Sequence, residues 1–162
     1  MIKKHGYIIV GSTGKNTGKT EFACSVIKNY SSEFTIYGVK VVAINRQEGG
    51  CPQGGDGCGI CVSLTDDYEI FEEANYGIDK DTSRMLKAGA EKVFMLKVDK
   101  EKLQEGLEAL VKIVPQNILV VVESNSIRKV LEPDLFIVIK SIEEQNIKRS
   151  CTEVISFANK VI

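Results

Sequence analysis

Two stretches of the chain carry residues whose types and spacing suit chemistry better than packing. The first is Gly11-Ser12-Thr13-Gly14-Lys15-Asn16-Thr17-Gly18-Lys19-Thr20. Its end, Gly18-Lys19-Thr20, closes the Walker A pattern G-x-x-x-x-G-K-[ST]; Thr13 stands at the first glycine of that pattern, with glycines at 11 and 14 instead. A loop of this kind turns backbone N–H groups toward phosphate oxygens, and the positive end of the helix behind it adds to the attraction. Gly14, Lys15, Asn16, Thr17 and Gly18 would cradle the phosphates of ATP or GTP. Lys19 would reach the β- and γ-phosphates and Thr20 would bind Mg²⁺, with Glu21 next in the first helical turn. Lys15 lies one residue away from where some phosphate loops carry a second lysine that acts across a dimer. The alternative is a glycine turn with a solvated lysine, which leaves the lack of any apolar residue between Gly11 and the helix unexplained.

The second stretch is Cys51-x6-Cys58-x2-Cys61, set among glycines between residues 49 and 61. A C-x2-C pair directs two thiolates at one ion across a tight turn, and nearby glycines let backbone N–H groups approach sulfur. Thiolates favour Zn²⁺, Cu⁺ or an Fe–S cluster over harder ions. Three of them need a fourth ligand, from Asp56, Cys24, Cys151, a partner subunit or an exogenous group. A redox disulfide and a substrate loop with incidental cysteines are the other readings. Cys24 and Cys151 sit at apolar positions and read as core.

A phosphate loop also needs a carboxylate at the end of a neighbouring strand, to hold Mg²⁺ or orient water. Glu123, directly after Ile118-Leu119-Val120-Val121-Val122, is placed for that. Asp81 is the second acid, although propensity alone favours Asp81 or Thr82 as a helix cap.

These residues must be positioned by strands and helices, and the patterning supplies them. Tyr7 to Val10 reads as a buried strand, and Lys19 to about Tyr30 as a helix with Phe22, Ala23, Val26 and Ile27 on one face. Further strands are read at Val39–Ile44, Val93–Val98, Ile118–Val122 and Leu135–Ile139. Helices are read before Ala88-Gly89-Ala90, from Leu103 to Val114, and over much of Cys151–Ile162. Strand and helix in alternation predict a three-layer α/β fold, P-loop NTPase-like, with a mostly parallel sheet and helices on both faces. One segment breaks the rhythm: from about 45 to 65 the chain is polar and holds six of the fourteen glycines and three of the five cysteines. It reads as an insert in a single domain spanning 1–162.

Taken together, Gly18-Lys19-Thr20, Asp81-Thr82-x-Arg84 with Ala88-Gly89-Ala90, Val120-Val121-Val122-Glu123 and Pro133-Asp134 resemble the MobB family. These are small P-loop adaptor proteins of molybdopterin-guanine dinucleotide synthesis. The motifs occur in the family's order and cover most of the chain. The resemblance implies a nucleotide-binding homodimer with slow ATP or GTP hydrolysis, assisting cofactor maturation beside a cofactor-synthesis enzyme or metalloprotein client. It also implies that Asp81 and Arg84 lie near the nucleotide. There is no guanine-reading Asn-Lys-x-Asp sequence, so the base stays open.

Composition narrows the partners. The 162 residues carry 21 basic and 22 acidic side chains and a formal charge of −1, which gives no general field for nucleic acid or anionic membrane. No apolar run approaches the roughly 20 residues that span a bilayer, and residues 1–6 do not read as a secretory signal, so a cytoplasmic location is expected. The expected activity is slow Mg²⁺-dependent NTP hydrolysis, with Lys19, Asp81 and Glu123 as catalytic groups. A metal-handling scaffold with a structural nucleotide is one rival. A small-molecule kinase is the other, disfavoured because only four arginines are available to cover phosphates.

Overall fold

The computed structural model describes residues 1–45, 64–77, 79–140 and 147–162. The cysteine insert, including Cys51, Cys58 and Cys61, therefore lies outside the described residues. Within them the fold is mixed α/β. A seven-stranded sheet runs in the order β4 (Tyr68–Glu72), β5 (Lys92–Asp99), β3 (Ile36–Ile44), β6 (Leu119–Glu123), β2 (Tyr7–Ser12), β8 (Leu135–Ile139), β9 (Lys160–Val161). All pairings in it are parallel except β4 against β5. A short parallel pair, β1 (Ile2–Lys3) with β7 (Leu131–Glu132), stands apart.

Alternate residues of each central strand feed two separate cores, the expected outcome when a strand is covered on both faces. Ile9, Val39, Val41, Val120 and Val122 pack with Leu103, Leu107 and Leu110 of α3 (Leu103–Ile113). On the other face Val10, Ile36 and Val121 pack with Ala23 and Ile27 of α1 (Lys19–Tyr30) and Met85 and Leu86 of α2 (Asp81–Lys87). The apolar spacing read in α1 and α3 is the one that faces the sheet. Burial also acts on Tyr7, whose phenol is pushed up to about 12.

Pro133-Asp134 acts as a clasp at the start of β2. The Asp134 carboxylate accepts the Gly6 N–H at 2.6 Å and pairs with the His5 ring at 2.9 Å. That backbone hydrogen bond, reinforced by His5, holds the Asp134 carboxyl below the usual carboxylate range.

Two elements differ from the sequence reading. The expected last helix is a four-residue α4 (Arg149–Thr152), a 3₁₀ turn at Ile155–Phe157 and then strand β9. The reason is tertiary. Cys151 and Val154 fill the α3-side core, while Phe157 stays half exposed, so nothing rewards another helical turn. Instead Asn159 accepts the Phe136 N–H at 2.7 Å and Lys160–Val161 adds to the edge of β8. The second difference is β4, an antiparallel edge strand the patterning did not reveal. Its Tyr68, Phe71 and Glu72 are exposed, so period-two alternation is blurred, as on many edge strands.

Candidate functional site

Strand β2 ends at Ser12 and α1 begins at Lys19, which places the glycine loop at the carboxyl edge of the sheet, where open α/β folds form ligand crevices. Asn16 (φ 52°) and Gly18 (φ 85°) both take left-handed backbone, and Gly18 is the N-cap of α1. Such turns gather successive N–H groups into a concavity suited to an anion. Among the described residues, no acceptor is paired with the N–H groups of Gly14 to Thr20. The Thr17 hydroxyl is likewise buried without a hydrogen-bond partner.

The base of the loop is fixed by Asn125, which follows β6 closely. Its side-chain carbonyl accepts the Ser12 N–H at 2.8 Å and its amide donates to the Ser12 carbonyl at 2.9 Å and to Ser150 Oγ at 3.3 Å. One side chain thus substitutes for a strand partner. Gly11 makes room for it, since a Cβ there would lie 2.5 Å from Asn125 Oδ1. Asn125→Leu leaves both Ser12 groups buried and unpaired, with an expected loss of about 2–4 kcal/mol of stability. Urea unfolding checks this, and an unchanged midpoint would show that Ser12 finds other partners.

A row of charge lies under the loop. Lys40 of β3 and Glu123 of β6 are register partners and point to the α1/α2 face. Both are buried, at 8% and 5% exposure. Lys40 Nζ donates to Glu123 Oε1 at 3.3 Å and to Asp81 Oδ2, and Thr20 Oγ1 donates to Glu123 Oε2 at 2.8 Å. Burial opposes the charge on Lys40, but the Glu123 charge and the Asp81 hydrogen bond outweigh it and raise its pKa. Burial likewise works against the Asp81 charge, and Lys40 overcomes it, so that carboxyl sits below its ordinary value. Lys19 differs. Among the described residues its ammonium has no ion-pair partner, and burial lowers its pKa, with Glu123 only partly compensating.

These groups open onto a cavity of about 950 Å³, within the roughly 300–1,000 Å³ of small-ligand pockets. Residues 14–21, Asp81, Arg84 and Glu123 all line it, so every expected site residue among the described ones converges there. Arg84 and Glu21 pair with each other at its rim, and that bond raises the Arg84 pKa. Among the described residues, seven basic and three acidic side chains line the cavity, in a chain whose formal charge is −1. The positive charge is gathered at one place. Cys24 is half buried on α1 and Cys151 fully buried, consistent with packing roles.

Three features escaped the sequence reading. Lys40 was legible as a charge inside the run Val39-Lys40-Val41-Val42, because a buried charge requires a partner. Asn125 was legible as part of the polar edge after β6 but not as the clamp on Ser12, and the lining residues Lys148, Arg149 and Ser150 carry no signal.

For a cation, the geometry offers the Thr20 hydroxyl and the Glu123 carboxylate side by side. Among the described residues no three His, Cys, Asp or Glu side chains are grouped closely enough to hold one metal ion by themselves. A hydroxyl and a carboxylate suit Mg²⁺ that takes its remaining ligands from phosphates and water. No protein-family model, curated protein or solved structure matches the chain. No helix among the described residues is long and apolar enough to cross a membrane.

Proposed function

We propose that the chain is a P-loop protein that binds ATP or GTP in this cavity and hydrolyses it slowly with Mg²⁺. The observation that carries the reading is the coincidence of three things at one sheet edge. They are, among the described residues, a run of unpaired N–H groups opening a helix, a half-buried lysine without an ion-pair partner, and the Thr20–Glu123 pair. The surplus of basic side chains matches the charge of a triphosphate.

In the mechanism, the amides of residues 14–20 hold the phosphate oxygens and Lys19 offsets the negative charge that grows between the β- and γ-phosphates. Thr20 and Glu123 would hold Mg²⁺, which when bound draws electron density from the phosphate oxygens. Asp81, at the rim and kept ionised by Lys40, accepts a hydrogen bond from the attacking water and sets its line of approach. Arg84 is tied to Glu21 and closes the rim on the α2 side. A role in maturing a metal or molybdopterin-type cofactor rests on the MobB resemblance and belongs to the same proposal.

The test is phosphate release from ATP and from GTP by purified protein, with Mg²⁺ and with EDTA. Release that needs Mg²⁺ is expected. Nucleotide binding without release would replace the hydrolytic reading with that of a scaffold holding a structural nucleotide, and no binding would overturn the proposal.

A further inference from the structure

Glu123 is the carboxylate expected to meet Mg²⁺, yet both of its oxygens are already engaged, Oε2 by the Thr20 hydroxyl and Oε1 by the Lys40 ammonium. Asp81, the other acid at this place, is bonded to the same ammonium. Lys40 therefore neutralises both carboxylates that a cation would use, and it does so from the middle of a buried strand. The neighbouring Lys19 shares the cavity but not this arrangement, so the two lysines are not duplicates. Lys40 also has room on its far side. Together with Asp81 it borders a second cavity of about 590 Å³, walled by Phe71, Met95 and Lys97 and separate from the phosphate loop.

We propose that Lys40 is a built-in cation that holds Asp81 and Glu123 together in place of a metal, and that Mg²⁺ arriving with nucleotide displaces it from Glu123 toward the second cavity. This rests on the reading that Thr20 and Glu123 receive Mg²⁺. Lys40 at Oε1 and a metal beside Thr20 at Oε2 would stand on the two oxygens of one carboxylate and repel each other, so a metal without phosphates competes poorly with the resident ammonium. Phosphate oxygens tip the balance by supplying further ligands and negative charge. Lys40 keeps Asp81 throughout, which makes it a positioning residue, and metal and nucleotide bind as a couple.

The experiment measures Mn²⁺ binding without nucleotide, by the loss of the free-ion electron paramagnetic resonance signal, in wild type, Lys40→Arg and Lys40→Met. Wild type and Lys40→Arg should bind weakly, and Lys40→Met about tenfold or more tightly, because its two carboxylates have lost their neutralising charge. Lys40→Met should also melt at a lower temperature in EDTA and recover with Mn²⁺, whereas wild type should show little response. Equal Mn²⁺ affinity in wild type and Lys40→Met, or a melting loss that Mn²⁺ does not repair, would overturn the displacement and leave Lys40 a structural ion-pair partner. If Lys40→Met does not fold, Lys40→Gln carries the same comparison. The assay contains no nucleotide. Failure here leaves the nucleotide reading standing, and absent phosphate release removes only the hydrolytic part of that reading.

Discussion

Replacing Lys19 by alanine is expected to lower the rate of phosphate release by about 10²–10³-fold while leaving the folded state as stable as before or slightly more so. The two halves of this expectation have one cause. Among the described residues the half-buried Lys19 ammonium has no ion-pair partner, and burial lowers its pKa, so its charge opposes folding. A charge held at that cost is pre-set for a polyanion. Alanine removes both the cost and the charge stabilisation of the transition state. Phosphate release and thermal melting, measured on the same preparation, check both halves. An equal rate in wild type and variant would remove Lys19 from the chemistry, and a large fall in melting temperature would assign it to structure.

Glu123→Ala should behave in the opposite way toward stability. Glu123 is buried, paired with Lys40 and hydrogen-bonded by Thr20, so its removal leaves a buried ammonium with Asp81 alone. Breaking a buried pair typically costs about 3–5 kcal/mol, and the retained Asp81 contact places the expected loss near the lower end. Glu123→Gln keeps an acceptor for Thr20 and nearly the same volume, so it should recover part of that loss. It should nonetheless lose Mg²⁺-dependent release by about 10²-fold or more, because a neutral amide oxygen is a poor ligand for a hard cation. Urea unfolding and the Mg²⁺ dependence of release separate these effects. Full activity in Glu123→Gln would mean that the charge at this position serves the fold only.

The central architecture was readable because its signals are local and strong. The run Ile118–Val122 reads as a strand covered on both faces, and the glycine-rich stretch after Val10 marks where strand gives way to helix. The limits of α1 and β8 coincide with those read from spacing alone. What the sequence concealed is what tertiary contacts decide. Lys160–Val161 becomes a strand only because β8 offers it an edge, and Tyr68–Glu72 only because β5 does. In the site, Glu123 and Asp81 were foreseen separately, but nothing local indicates that Lys40, 83 residues before Glu123, would join them. That junction is set by sheet register.

The order of strands has a consequence for how the protein comes to be made. β2 and β3 follow one another along the chain, joined by α1, but β6 lies between them in the sheet. Until β6 is synthesised and inserted, the glycine loop and Lys40 face each other across a gap of one strand width, about 10 Å between backbones. The strand that fills this gap brings Glu123 and Asn125 together with the core residues Val120, Val121 and Val122. On the proposed reading, a chain lacking β6 would have no complete site, and competence for a ligand should arrive in the same cooperative step as the insertion of that strand.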